Sequence, residues 1–550
     1  MNEREIPTTP EALVRRPPIE TVAFGWGVTE DGQLGLMQGP TTKDIPSACI
    51  LSPKVVEGLL GTKFRGRDGS RRPVVAGSRC TMVVTSDGQV YSFGWNDRAT
   101  LGQGHKELVT KPSRVVGLQG VHVVQVALGG WHALALDRDG GCWAWGGNEY
   151  NQCDALGVGR DISTPARALT NVRAVQVAAG GMHSVALSES GEVWQWGEPW
   201  GEFEMTVNRE PRRLRMRGMP QTAAAATATA GERFVRVACG SFHNLALTAS
   251  GAVYSWGIND YGQLGDGTTI NARDLVLVQG LEGVVVVDIA CGGWHSVAIT
   301  EEGDVYVWGR GEYGRLGLGE KGASKLVPRR VEGLEGHKVV EASAGGTHTV
   351  VVTEDGRMFI WGRGSFGRLG TGNEQNHFAP VEVYFPGGPE RWWIIAAAAG
   401  GRHTMALAVP DNGDLGGEKM DMWDRRSSDL ASLSLSASVG ASVGVGAASV
   451  DGNSRGPSRS ATPMGSAVKV SAPSSRWSET MSEEKHKDEE DADDEEDDED
   501  EEDEEESQVS ELDGDSEDGD ESRAGSQRAP SFMNMVKSLE LEEMNFNDGE

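Results

Sequence analysis

No run of eighteen consecutive apolar residues occurs in this 550-residue chain, so no segment has the length of a membrane-spanning helix. The first twenty residues lack the apolar centre of a secretory leader. Cysteine is sparse: Cys49, Cys80, Cys142, Cys153, Cys239 and Cys291 form no C-x-x-C pair and no zinc-ligand spacing. Several sit in apolar runs, where a thiol behaves as a small hydrophobe. That usage excludes a disulfide scaffold and fits a reducing compartment. A soluble intracellular protein of the cytoplasm or nucleus is expected, with no membrane contact. A nucleophile elbow, a phosphate loop opening a helix and a carboxylate pair outside the repeated phrases are also missing, so neither an enzyme nor a cofactor or metal site is expected.

What is abundant is glycine, at 75 residues, together with 16 Trp beside only 12 Phe and 7 Tyr. Tight turns between short, well-packed strands use that combination. The net charge of −31 is unevenly placed. From residue 411 on there are 40 acids against 12 bases, leaving 42 acids and 39 bases in the first 410 residues. A near-neutral body precedes an acidic tail.

One phrase repeats: Leu, Ala or Cys, then Gly, Gly or Ser, one variable residue, and His132, His183, His243, His295, His348 or His403, with Cys80 in a degenerate seventh copy. The steps are 52, 51, 60, 52, 53 and 55 residues. In step with it, an aromatic followed by Gly stands at Trp26, Phe93, Trp145, Trp196, Trp256, Trp308 and Trp361. Behind four of these runs G-x-L-G, ending at Gly35, Gly265, Gly317 and Gly370; it is lost after Trp145 and Trp196. Residues 309–314 spell G-x-G-x-x-G, the glycine pattern of dinucleotide-binding turns, and residues 362–367 repeat it in register. A dinucleotide site needs that turn to open a helix. Here more glycine and then proline follow, so the glycines are turn punctuation.

Each period reads as four short strands, for example VPRRVEGL, KVVEASAG, HTVVVT and RMFIWG between Val327 and Trp361, with an Asp-Gly hairpin turn joining the last two. Four strands per ~50 residues, without helical periodicity, predict one blade of a β-propeller. The first aromatic-Gly phrase has no His phrase before it, and the last His phrase has no aromatic-Gly phrase after it. The two ends therefore supply the halves of one blade, and pairing 21–27 beside 404–409 closes the ring without open edges. The fold class is all-β: a seven-bladed β-propeller closed by its N- and C-terminal strands and followed by a disordered acidic tail. The expected segments are a flexible start (1–20), the propeller (21–409), a Ser/Ala/Gly-rich linker (410–487), an acidic tail (488–530) and a short amphipathic helix (531–547).

These phrases resemble the regulator of chromosome condensation family, over about residues 21–409. The resemblance implies a seven-bladed propeller. It brings with it the family's founding activity, nucleotide exchange on a Ran-like small GTPase, and a plant UV-B photoreceptor of the same fold. The founding exchange face carries an Asp before one repeat His and an extra His after another; here no Asp precedes a repeat His and Ser296 follows His295. The photoreceptor phrase is G-W-R-H-T, whereas this chain has GGWHA, GGWHS and GGRHT, never Trp and Arg together.

The repeat histidines, one per blade, are expected to satisfy local backbone groups. The residue before each varies: Arg79, Trp131, Met182, Phe242, Trp294, Thr347 and Arg402. These are candidate partner-binding positions, because Trp and Arg anchor interfaces; the competing expectation is that they fill gaps between blades. Two basic loops, Lys63–Pro73 and Arg215–Glu232, are expected to be solvated, and direct nucleic-acid binding is not expected. In the tail, Asp488–Glu506 holds eighteen acids in nineteen residues, a tract that could meet a basic protein such as a histone. Phe532, Met535, Val536 and Leu539 would share one face of the terminal helix as a partner motif. The expected function is a non-enzymatic, protein-binding scaffold. Nucleotide exchange on a Ran-like GTPase is the alternative, and UV-B signalling ranks below it.

Overall fold

The structure, a computed structural model, describes residues 21–36, 49–64, 72–154, 159–197, 210–216, 233–388 and 391–411. The expected start 1–20, the linker from residue 412, the acidic tail, the segment 531–547 with Phe532, Met535, Val536 and Leu539, and most of both basic loops lie outside the described residues.

Seven antiparallel sheets of four strands each form the ring. Blades one to six take residues 74–114, 123–168, 174–213, 234–277, 286–330 and 339–382. Blade seven is composite: its order is Cys49–Val55, Val22–Val28, His403–Pro410 and Trp392–Ala399. The N-terminal strand is clamped on both sides, with Val22 opposite Ala408, Trp26 opposite Thr404 and Phe24 opposite Val55. Closure by the two ends is thus as the half-phrases require.

The phase of the repeat differs from the expected one. VPRR lies in Gly322–Arg330, the outer strand of blade five, with Arg330 opposite Tyr306. Blade six runs Val339–Ala344, His348–Thr353, Met358–Gly362 and His377–Glu382. Four runs in a row have the same order whichever is counted first. The long G-x-L-G turn settles the phase, by folding each outer strand back along its own third strand.

Trp26, Trp145, Trp196, Trp256, Trp308 and Trp361 are among the largest fully buried side chains. Each indole reaches across a seam between blades. Trp308 Nε1 donates to Gln263 O at 2.9 Å, Trp361 to Arg315 O at 3.0 Å and Trp26 to Arg368 O at 3.0 Å. This explains the last glycine of G-x-L-G. Gly317 has φ +67°, and a Cβ there would lie 2.7 Å from Trp361 Nε1. The glycine admits the next blade's indole, and no phosphate is involved. Trp308→Ala, which removes a buried indole and the donor to Gln263 O, is expected to cost about 3–5 kcal/mol; an unchanged thermal midpoint would refute the packing role.

Candidate functional site: the histidine-bearing face

At six of the seven seams a repeat histidine builds a clamp, and its partner is a side chain where a backbone group was expected. His295 Nε2 lies 2.8 Å from Thr349 Oγ1, whose hydroxyl donates to Arg315 O at 2.8 Å, the same carbonyl that receives Trp361. Because the hydroxyl proton is committed, the imidazole donates through Nε2–H. His132 meets Ser184, His243 meets Ser296, His348 meets Thr404 and His403 meets Thr81, all at 2.8–2.9 Å. His183 uses Asn244 Oδ1 at 2.7 Å. The sequence carried a sign of this: the residue after each His is Ser, Thr or Asn in every copy except Cys80-Thr81, which lacks the His, and His132-Ala133.

Those two exceptions meet. Cys80 of blade one would face Ala133 of blade two, so donor and acceptor are lost at the same seam. Backbone ties around the channel mouth skip that seam as well. Gly130 N–H donates to Gly180 O, Gly181 to Ser241 O, Ser241 to Gly292 O, Gly293 to Gly345 O, Gly346 to Gly400 O and Gly401 to Gly77 O. Here the paired glycines also make room: a Cβ on Gly400 would sit 2.5 Å from His403 Cε1 and 2.6 Å from Gly77 O. Burial pushes the imidazoles of His132, His243 and His403 down to about 3 and that of His183 to about 4. They stay neutral at pH 7 and serve as fasteners. Burial likewise pushes the Cys80 and Cys142 thiols up to about 12, which makes them inert.

Farther along the channel, a cavity of about 190 Å³ is lined by Gln125, Gln176, Arg236 and Asp288 among others. These side chains stitch blades too. Gln125 Nε2 donates to Val177 O and Gln176 Nε2 to Val237 O, both at 3.0 Å, and Arg236 pairs with Asp288 at 2.9 Å.

The variable residues before each His divide into two groups. Met182, Phe242, Trp294 and Thr347 are buried, whereas Arg79, Trp131 and Arg402 are half-buried at the rim. Their neighbours reveal a second variable position, which the sequence reading passed over: the residue ahead of the Gly, Ala or Asn that precedes Q-L-G or its equivalent. In blades seven, one, four, five and six it is Asp31, Arg98, Tyr261, Tyr313 and Phe366. Each meets the rim of the next blade. Asp31 pairs with Arg79 at 2.5 Å, and Arg98 lies over Trp131 at 5.3 Å. Tyr261 packs edge-on to Trp294 at 5.3 Å, with Arg310 over it at 4.5 Å. Arg363 lies over Tyr313 at 4.5 Å and Arg402 over Phe366 at 5.4 Å. Phe242 and Trp294 touch across their seam at 4.6 Å. These aromatic–arginine pairs form a belt around the channel mouth.

The chain matches the family model described as RCC1-like domain over residues 22–406. It is 33% identical over 397 residues to the human E3 ubiquitin-protein ligase HERC2, covering 70% of this chain but 8% of that one. To the ultraviolet-B receptor UVR8 of Arabidopsis thaliana it is 33% identical, over 65% of this chain and 77% of the receptor. To the mitochondrial RCC1 domain-containing protein RUG3 of the same plant it is 30% identical, over 71% and 89%. Among solved structures, human WBSCR16 aligns with TM-score 0.59 at 26% identity, over 71% of this chain and 99% of that one. Prp20p of Saccharomyces cerevisiae aligns with TM-score 0.59 at 23% identity, over 74% and 96%. No helix among the described residues is long and apolar enough to cross a membrane.

Proposed function

This chain belongs to the RCC1-like domain family, and from that premise we propose that it is a non-enzymatic scaffold whose histidine-bearing face docks a protein partner. The observation that carries this reading is where variation falls. The clamp of His, a hydroxyl or amide side chain, and indole recurs at six seams and is buried, while the half-buried variable positions Arg79, Trp131 and Arg402 stand at one mouth of the channel beside aromatic and charged side chains. A frame built to hold seven blades needs no such belt, and interfaces favour those residue types. Arg79, Trp131 and Arg402 are its half-buried members among the expected positions.

Prp20p is described with its binding to Gsp1p and histones; at 23% identity it lends this chain its fold and supplies partners to assay. HERC2 is a ubiquitin ligase of which the matched region is 8%, so ligase activity is not carried over. UV-B reception, the name of UVR8, would need clustered tryptophans, whereas Trp294 packs on Phe242 and Tyr261.

The test compares the full chain with single variants Arg79→Ala, Trp131→Ala and Arg402→Ala, each checked for an unchanged thermal midpoint. Proteins cross-linked to the wild-type face should bind roughly tenfold more weakly to at least one variant, and nucleotide release from loaded small GTPases should stay at background. Partners indifferent to all three substitutions would overturn the docking face. Catalysed release would make the chain an exchange factor.

A further inference from the structure

We infer that the seam between blades one and two is the joint at which this ring opens first, and that ion pairs at its rim are the latch. The joint is independent of what docks on the face. Three kinds of fastener recur along the channel wall, and this seam lacks all of them. The clamp is missing because Cys80 replaces the histidine and Ala133 the hydroxyl. The glycine tie is missing too: among the described residues no backbone bond links Gly77 or Ser78 to Gly129 or Gly130. Every other seam keeps both. The third fastener is a side-chain stitch. Gln125 and Gln176 each exchange two bonds with the next blade, at Val177 and Val237. Arg236 holds Asp288, and Glu341 accepts from Ala397 N–H at 3.4 Å. Blade one has Pro73 at the corresponding place, and its ring carries no polar group to stitch with.

Two recurrent ties remain at this seam. Trp145 Nε1 donates to Thr100 O at 2.8 Å, and Val123 N–H donates to Gly88 O at 3.1 Å on the far face. Beside the missing clamp the contact is apolar. Leu128 stands where the other blades have Ala or Cys. A Cβ on Gly77 would lie 3.2 Å from Cys80 Sγ and 3.3 Å from Leu128 Cβ, so the two side chains converge there. Apolar contact has no direction and lets blades slide, whereas a hydrogen bond fixes their register. At the histidine-side rim charges take over. Arg98 of blade one meets Glu149 of blade two at 2.7 Å and Asp161 at 3.7 Å, and Lys106 meets Asp161 as well. Pairs at a wet rim weaken with salt, and an enclosed clamp does not.

Blade one is anchored on its other flank. Thr81 takes the His403 clamp, Gly77 O accepts from Gly401 N–H, and Arg79 pairs with Asp31. Just ahead of its inner strand, Arg72 also reaches across the channel to Asp288 and Glu341, at 3.9 and 4.0 Å. Blade two is tied to blade three by His132 on Ser184, Gln125 on Val177 and Gly130 on Gly180. Each side of the joint thus belongs to a block held by directional bonds, and displacement concentrates between the blocks. Opening parts the channel wall beside Val75 and Leu128, which line the cavity of about 190 Å³. Ionic strength, acting on the latch, sets how often this happens.

The test labels the native full chain with N-ethylmaleimide and reads each thiol by mass spectrometry. Cys80 sits in the joint and Cys142 inside blade two; both are enclosed, with thiols pushed up by burial to about 12, so their rates compare openings. Cys80 should react at least about tenfold faster than Cys142. High salt, and Arg98→Gln at low salt, should each speed Cys80 by about threefold, and the salt effect should shrink in the variant. Arg330→Gln, which removes the pair with Asp304 in blade five, is the control and should leave Cys80 as it was. Rebuilding the seam with Cys80→His/Leu128→Ala/Ala133→Ser should slow amide hydrogen exchange in Val123–Leu128 to the rate of Val286–Cys291, its equivalent in blade five. Equal rates at Cys80 and Cys142, a Cys80 rate indifferent to Arg98→Gln, or the same acceleration in the control would each overturn the joint. So would a folded rebuilt variant with unchanged exchange in Val123–Leu128. Should that variant not fold, the labelling rates decide alone.

Discussion

Removing residues 1–28 is expected to abolish cooperative folding, measured against a chain that starts at residue 21. The deletion takes out the whole Val22–Val28 strand, which is buried along its entire length. Two ladders are lost at once, to Cys49–Val55 outside and to His403–Pro410 inside. Phe24 and Trp26 go with it, and each is worth roughly 3–5 kcal/mol on truncation. Gly370, Arg368 O and Phe385 then face a void where Trp26 sat, since Phe385 lies 5.9 Å from the indole and Arg368 O is its acceptor. The sum exceeds the usual net stability of a domain, about 5–15 kcal/mol. The seam between blades one and two sharpens the outcome. It lacks the histidine clamp and the glycine tie, so in a ring opened at blade seven blade one keeps the indole bond from Trp145 to Thr100 O and the Arg98–Glu149 pair across this seam but not the other two recurrent fasteners. Limited proteolysis should therefore release fragments ending near residues 72–123 before any others. A truncated chain as heat-resistant and protease-resistant as the control would refute ring closure as the basis of stability.

Much of this architecture could be read from the sequence because each of its causes is written several times. The indole, the paired glycines and the histidine recur at fixed steps, so chance is excluded by repetition. The half-phrases at the two ends define the composite blade by simple complementarity. The phase of the blade was not legible, because VPRR reads the same whether it precedes one sheet or ends another, and only pairing with Val305–Gly311 decides. The histidine partner was legible in principle: Ala133 follows His132 at the one place where the preceding copy has Cys80 instead of His. Seeing that needs the knowledge that residue after His and His itself face each other across a seam. The rim belt was half legible. Trp131 and Arg402 stood out as variable beside the repeat His, and Arg79 beside the Cys80 that replaces it, but Asp31, Arg98, Tyr313 and Phe366 looked like turn filler. Their pairing with residues about 33–50 positions away arises from the stagger of neighbouring blades, which no local pattern contains.

Acid should unfold this propeller steeply and well above the pH at which carboxylates alone titrate. Six imidazoles are fully enclosed and neutral, with His132, His243 and His403 pushed down to about 3, His183 to about 4, and His295 and His348 lower than their ordinary range, in every case chiefly by burial. In the unfolded chain each titrates near 6.5. The folded state therefore refuses protons that the unfolded state accepts. This contribution is complete above about pH 6.5 and is lost as pH falls toward 3–4. At pH 5 each histidine should forfeit about 2 kcal/mol, and six together reach the size of a whole domain's stability. Asp97 and Asp154 act the other way: burial raises both carboxyls, so their protonation favours the folded state at low pH. They are half-exposed, and solvent screening leaves them unable to offset six enclosed rings. The measurement is the unfolding free energy in denaturant across pH 7.5 to 4.5. Its slope should correspond to several protons taken up on unfolding, approaching six near pH 5. A slope of one proton or fewer would mean that the imidazoles are open to water, and the seam clamps would then have to be abandoned as the fasteners of the ring.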